Sequence, residues 1–248
     1  MILYDCNAML GRWVTADTGD GTVAALTKTL DRYGIAAAVV AHTAAWRHDP
    51  ATGNAQLLTE LAGQTRLLPA WVGLPDSCGE VPPPAEFVAA ARRYGVAAIR
   101  LYPADHGYRL TGSDCAALLD ALTAARLPVL IDADQASYAE IEAVAAARPE
   151  LPVVVCRTGY RALRELAGVF SRTSNVRVDL SYLGSHLGLE WLVERYGAHR
   201  VLFGTGWPLR DPADAVTRLL WSELSDADAA RVGADNLAEL TGGAPWTR

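Results

Sequence analysis

Pro128-Val129-Leu130-Ile131-Asp132 and Pro152-Val153-Val154-Val155-Cys156-Arg157, with the alanine-rich stretch Tyr138 to Ala147 between them, decide how the rest of this chain is read. Each outer piece is a short, unbroken apolar run that a proline opens and a polar side chain closes. Such runs suit strands covered on both faces, the condition of a parallel sheet. Parallel neighbours need a crossover, and the amphipathic middle piece is long enough to supply it. Working outward, the same alternation continues in both directions. Strands are predicted at Ile2 to Asp5, Ala37 to His42, Leu67 to Gly73, Ala97 to Tyr102, Val129 to Asp132, Val153 to Cys156, Val176 to Leu180 and Val201 to Gly204. Helices are predicted at Thr22 to Tyr33, Asn54 to Ala62, Ala85 to Tyr94, Ser113 to Ala125, Tyr138 to Ala147, Ala162 to Phe170, Leu187 to Tyr196 and Pro212 to Trp221. Tyr33-Gly34, Tyr94-Gly95 and Tyr196-Gly197 carry the glycine stop expected where a helix turns left-handed before the next strand. Pro82-Pro83-Pro84 reads as a rigid entry to the third helix.

Eight strand–helix units in 248 residues predict an α/β fold, one (β/α)8 barrel of the TIM type spanning residues 1–248. An extra C-terminal helix, Ser225 to Leu240, opens on Ser225-Asp226-Ala227-Asp228, a capping start that also suits the helix dipole. A hydrophobic fraction of 51% with 20% charged residues is that of a globular chain. The longest apolar run, Ile35 to Ala41, is too short to cross a bilayer, and Met1-Ile2-Leu3-Tyr4-Asp5 lacks the basic start of a secretory signal, so a cytoplasmic protein without a membrane partner is expected. The net charge of −6, with no basic run, gives no footprint for nucleic acid and leaves a small molecule as the expected partner. The four cysteines, Cys6, Cys78, Cys115 and Cys156, show no paired spacing and read as buried thiols in a reducing compartment.

Chemistry in such a barrel gathers where strands end on the C-terminal face. The polar residues there are Asp5 and Asn7, His42, Arg100 and Tyr102, Asp132 and Asp134, Arg157, Asp179 and Ser181, and Trp207. Alternation along a strand sends Arg100 and Tyr102 to one side, and likewise Asp132 with Asp134 and Asp5 with Asn7.

These segments resemble, in order and over nearly the whole chain, the amidohydrolase superfamily, in the branch called amidohydrolase family 2. Asp5-Cys6-Asn7-Ala8-Met9 resembles the first-strand motif in which Asp precedes His-x-His. Phe203-Gly204-Thr205-Gly206-Trp207-Pro208 resembles the eighth-strand signature Phe-Gly-Ser-Asp-x-Pro, and Gly233 to Leu240 the closing helix with its Asn236. Arg100-Leu101-Tyr102-Pro103 followed by His106-Gly107-Tyr108 resembles the fourth-loop pattern of one subgroup. The resemblance implies a metal-dependent hydrolase, yet the ligand positions depart from it. The first-strand histidines fall on Asn7 and Met9, the fifth-strand histidine on Asp132, the sixth-strand histidine on Arg157 and the eighth-strand aspartate on Gly206. Neither Met in such a site, nor a guanidinium, nor Gly supplies a lone pair to a divalent ion, so no metal and no cofactor is expected. The remaining histidines, His42, His48, His106, His186 and His199, show no HxH or HxxxH spacing.

Two functions remain open. One is a metal-independent enzyme acting on a small anionic molecule: hydrolysis of a lactone or amide first, a decarboxylase or other lyase step next. The other is a catalytically inactive binding or partner protein; under either function a homodimer through exposed helices is an open expectation. For the enzyme, Asp132, His106 and Asp5 are the acid–base candidates. Arg100, with Arg157, Tyr102, Tyr108, Asn7, His42, Asp134 and Trp207, is expected to line the substrate, Arg100 as its main anion contact and His106 and Tyr108 as a closing loop. Each has a structural alternative. Asp5 and Asn7 can brace backbone, Asp134 can cap a helix, His42 can be a core histidine, and Asp132 can pair with Arg157 in the vacated metal site.

Overall fold

The computed structural model describes residues 1–13 and 19–243. Eight parallel strands form one sheet in sequence order: β1 (Tyr4–Leu10), β2 (Ala37–His42), β3 (Leu67–Val72), β4 (Ala98–Leu101), β5 (Val129–Asp132), β6 (Val153–Cys156), β7 (Val176–Asp179) and β8 (Val201–Leu202). Backbone bonds from Cys6 N to Phe203 O (2.9 Å), Met9 N to Trp207 O (3.0 Å) and Gly206 N to Asn7 O (2.9 Å) join β8 and its extension to β1, so the sheet curls into a barrel. Around it run α1 (Val23–Tyr33), α2 (Thr43–Arg47), α3 (Pro50–Glu60), α4 (Pro84–Arg93), α5 (Ser113–Ala125), α6 (Tyr138–Ala147), α7 (Leu163–Arg172), α8 (Gly188–Tyr196) and α9 (Pro212–Leu220). The predicted last helix is broken in two: α10 (Asp226–Ala230) and α11 (Asn236–Leu240) flank a π-helical turn, Arg231–Asp235.

Alternation along the strands separates two apolar cores. Val129, Ile131, Val153, Val155, Val176 and Val178 pack outward under the helices, while Tyr102, Leu130, Val154, Cys156 and Leu202 fill the barrel. Of the expected glycine stops, Gly34 sits at φ 66°, ψ 27° after α1, the left-handed conformation that frees a backbone from Cβ crowding. Gly197 has φ 88° but ψ 149°, so it turns the chain without the left-handed helical geometry.

Besides the broken last helix, the structure departs from the sequence pattern in three places. The first strand continues to Leu10, because Asp5 and Asn7 interrupt the apolar alternation without ending the extended backbone; the register to β2 slips between Asp5 and Ala8. The second helix starts at Pro50, capped by Asp49, and α2 precedes it unpredicted, since five residues carry too little periodicity to read. Cys78 is exposed, unlike the other three free thiols. No helix among the described residues is long and apolar enough to cross a membrane.

Candidate functional site

At the C-terminal end of the barrel the inward residues of β4, β5 and β7 are charged. Arg100, Asp132 and Asp179 are all buried, and the chain satisfies them with one another. Arg100 Nη1 donates to Asp132 Oδ1 and to Tyr102 Oη, each at 3.2 Å, and Arg100 Nη2 donates to Asn7 Oδ1. Asn7 Nδ2 donates in turn to Asp179 Oδ2 (2.6 Å) and Ser181 Oγ (3.4 Å), and Ser181 Oγ donates to the same Asp179 oxygen at 2.7 Å. Arg157 follows β6 in a left-handed conformation, φ 54°, that a non-glycine residue rarely adopts. From there its backbone N–H donates to Asp179 Oδ1 (3.3 Å) and its Nη1 to Asp132 Oδ2 (3.3 Å). Asp132 thus lies between two guanidiniums, one on each carboxylate oxygen. Arg157 is the half-open member: its side chain is 23% exposed against 2% for Arg100. Its Nε has no hydrogen-bond partner among the described residues.

Burial sets the electrostatics. Asp179 is pushed up to about 6 by desolvation, against the pull of its bonds from Asn7 and Ser181. Burial likewise raises Asp5, although Thr205 and Asn7 hydrogen-bond it. The thiols of Cys6 and Cys156 are driven well up by burial beside Asp179, so neither is poised as a nucleophile.

The expected residues divide into those brought together and those turned away. Asn7, Arg100, Tyr102, Asp132 and Arg157 meet as described. Asp5 serves as a clamp: Oδ1 accepts from Asn7 N and Thr205 N, both 2.9 Å, and Oδ2 from Thr205 Oγ1 at 2.5 Å, tying β1 to the chain after β8. Asp134 is exposed and caps no helix, but its carboxylate acts on the Arg157 guanidinium through charge; Ser137 caps α6, in a capping box with Glu140. His42 shares its parity with Ala38 and Val40, which pack outward. Its Nδ1 accepts from Ala44 N at 3.0 Å to cap α2, leaving no ring lone pair for a proton. It lines a cavity of about 640 Å³ with Gln56 and Glu60, away from the charged centre. Trp207 also joins the outer core, not the barrel wall.

His106 and Tyr108 do not close over the centre. His106 Nε2 lies 2.7 Å from Trp46 O, which makes it the donor, and the ring packs edge-on to Tyr102 at 5.8 Å. Both residues line a separate cavity of about 320 Å³ with Cys78, Glu80 and Arg109. Over the barrel, Trp46 stacks on Tyr102 with centroids 4.5 Å apart. Asp105 holds that layer, accepting from Trp46 Nε1 (2.7 Å) and Gln135 Nε2 (3.1 Å) and pairing with Arg47 (3.2 Å). Sequence reasoning missed Trp46, which sits on the unpredicted short helix α2, and Asp105 and Gln135, which lie in turns, because strand parity reaches none of them.

The arrangement does not fit the divalent ion of the resembled hydrolases. Both oxygens of Asp132 are engaged by cations, and a guanidinium stands where the sixth-strand ligand would. A Cβ on Gly206 would lie 3.1 Å from Ser181 Cβ and 3.2 Å from Tyr182 Cε2, so packed side chains crowd the eighth-strand ligand position. Among the described residues no group of three or more His, Cys, Asp or Glu side chains is placed to hold a metal.

The chain matches the amidohydrolase family over residues 6–240. No curated protein matches it by sequence. Solved structures share its fold: 2,6-dihydroxybenzoate decarboxylase from Rhizobium (13% identity, TM-score 0.77, covering 97% of this chain and 98% of that one) and 5-carboxyvanillate decarboxylase from Sphingomonas paucimobilis (14%, 0.73, 97% and 98%). A probable 2-pyrone-4,6-dicarboxylic acid hydrolase from Acinetobacter baumannii is similar at 16% identity and TM-score 0.72, covering 98% and 100%.

Proposed function

Given that the chain belongs to the amidohydrolase family, we propose that it is a metal-independent enzyme acting on a small carboxylate-bearing molecule at the barrel mouth. The reactions proposed are hydrolysis of a lactone or amide, or loss of carbon dioxide. The observation that carries this reading is the shared Asp132: one carboxylate serves two guanidiniums, and the outer one, Arg157, retains exposed surface. A substrate carboxylate that reaches that exposed part of the guanidinium supplies a further acceptor. Arg100, already bonded to Asp132, Asn7 and Tyr102, is an internal strut, so the anion contact expected of it passes to Arg157. The proton-moving role passes from Asp132, held between cations, to Asp179, whose pKa of about 6 lets it hold or release a proton near neutrality. Structural neighbours named as decarboxylases of aromatic acids and a pyrone dicarboxylate hydrolase agree with a carboxylate substrate.

One observation favours a second reading, a non-catalytic binding protein: Arg100, Asn7, Asp132 and Asp179 already satisfy one another without a ligand. A panel of small aromatic and aliphatic carboxylates, tested for thermal stabilisation and for turnover in chelator-treated buffer, separates the two. Binding lost in Arg157→Met and kept in Arg100→Met supports the site. Turnover lost in Asp179→Asn supports the enzyme. Binding without turnover leaves the second reading, and affinity equal in wild type and Arg157→Met contradicts the proposed contact.

A further inference from the structure

The end of the barrel opposite the mouth carries guanidiniums that the charged centre does not use. Val176 and Val178 pack outward from β7, so Arg177 points inward at the N-terminal end of that strand, as Asp179 does at the other. Arg177 Nε donates to His199 O at 3.2 Å, and the side chain forms no ion pair among the described residues. Glu239 acts on it by charge from farther off, but both Oε atoms of Glu239 accept from Arg231 Nη2, at 3.1 Å each. Arg200 is 5% exposed, with Nε bonded to Val176 O at 2.6 Å and Nη2 without a hydrogen-bond partner among the described residues. The cations disturb one another. Burial lowers Arg177 and Arg231 lowers it further, against the pull of Glu239; burial and then Arg177 bring Arg200 down to about 10. Burial, followed by Arg200, Arg177 and Arg231, pushes His199 down as well. Three guanidiniums thus have one carboxylate, Glu239, among them.

Arg177 opens onto a cavity of about 320 Å³ on this face, with Ser174, Arg126, Glu150 and Glu239 in its wall. Glu150 is paired with Arg126, as Glu239 is with Arg231. Neither Nη group of Arg177 nor the Ser174 hydroxyl enters a hydrogen bond among the described residues, and none of the three is sealed from the cavity. We propose that this cavity binds phosphate, free or as the phosphate group of a small ester, between the Arg177 fork and the Ser174 hydroxyl. Two free N–H groups on one planar guanidinium match two oxygens of one anion. Charge selects phosphate over a carboxylate: the neighbourhood carries two positive charges in excess, which a phosphate of about −1.5 to −2 offsets and a carboxylate only half offsets. The volume also lies at the lower end of small-molecule pockets, which run from about 300 to 1,000 Å³, so an ester group has room beside the anion.

Titration calorimetry of the full chain with inorganic phosphate and with glycerol phosphate, at fixed ionic strength, tests the proposal. Wild type is expected to take up one phosphate per chain, and to melt at a higher temperature as the site fills. Arg157→Met should keep that binding, because Arg157 stands at the other end of the barrel. Arg177→Met, shown to be folded by circular dichroism, should weaken it on the order of 10-fold or more. Ser174→Ala, at an exposed position, should weaken it several-fold, and serves if Arg177→Met does not fold. In wild type, nuclear magnetic resonance should show the His199 imidazole titrating at higher pH once phosphate is bound, because the anion offsets the cations that hold it down; the signal is identified by its loss in His199→Asn. Tighter binding of glycerol phosphate points to an ester as the ligand, and binding no tighter than that of inorganic phosphate points to the free ion. No saturable binding overturns the proposal, as does binding equal in wild type and Arg177→Met, or a His199 titration that saturating phosphate leaves unmoved. Carboxylate binding at Arg157 is measured separately, so failure here leaves that reading standing.

Discussion

Replacing Asp132 by Asn probes the charged centre most sharply, because the change keeps shape and removes one charge. In the wild type Asp132 compensates Arg100 at 3.2 Å and Arg157 at 3.3 Å. The amide retains one oxygen, so one guanidinium keeps an acceptor and the other faces an N–H donor. Arg100 then keeps only Asn7 and Tyr102, both neutral, at a position with almost no access to water. Stranding a buried cation in this way costs about 3 to 5 kcal/mol. For a chain of this size that corresponds to a fall in melting temperature of roughly 10 °C. Urea unfolding read by fluorescence and circular dichroism gives the free energy directly. Adding Arg157→Met should restore part of the loss by removing one of the two uncompensated cations, with a coupling of about 1 kcal/mol. A loss under about 1 kcal/mol for Asp132→Asn, or no coupling to Arg157, would refute the buried network, since solvent-screened pairs contribute no more than that.

Two further outcomes follow from the same geometry. Asp179 rises from 3.8 to about 6, so the folded chain holds a proton that the unfolded chain releases. Its contribution is fully present below pH 3.8 and is lost as pH rises through about 6, and the wild-type-minus-Asp179→Asn stability difference should fall by roughly 3 kcal/mol across that window; a flat difference would rule out the raised carboxyl. Gly206→Asp, which restores an acid at the eighth-strand position, should destabilise the chain by about 1 to 3 kcal/mol through its φ of 71° and its contacts with Ser181 and Tyr182, without conferring zinc binding in a titration.

The barrel was legible because its evidence is local and periodic. Runs such as Val153 to Cys156 declare strands buried on both sides, and parity along β4 and β5 correctly sent Arg100, Tyr102 and Asp132 inward. The pairing of Arg157 with Asp132 could be read as an alternative from the vacated ligand positions alone. Parity failed where the backbone departs from regular alternation. The register slip in β1 turns Asp5 toward Thr205 while Asn7 still reaches Asp179. Beyond β5 the chain turns, so Asp134 leaves the face it was assigned to share with Asp132. Loop residues carry no periodic signal. His106 and Tyr108 were placed over the mouth because they follow β4, whereas the mouth is roofed by Trp46 and tied by Asp105 and Gln135, whose partners lie about thirty to sixty residues away in sequence.

Metal content tests the central claim, that a guanidinium–carboxylate network replaces the family's ion, most directly. The chain, expressed in turn with added zinc, manganese or iron, is purified and its metal measured by elemental analysis before and after chelation. The expected result is no stoichiometric transition metal from any of the three expressions, and unchanged melting and carboxylate binding after chelation. About one tightly held ion per chain, lost on chelation together with carboxylate binding or turnover, would mean that Asp132 and its neighbours rearrange into a ligand set, and would contradict the claim.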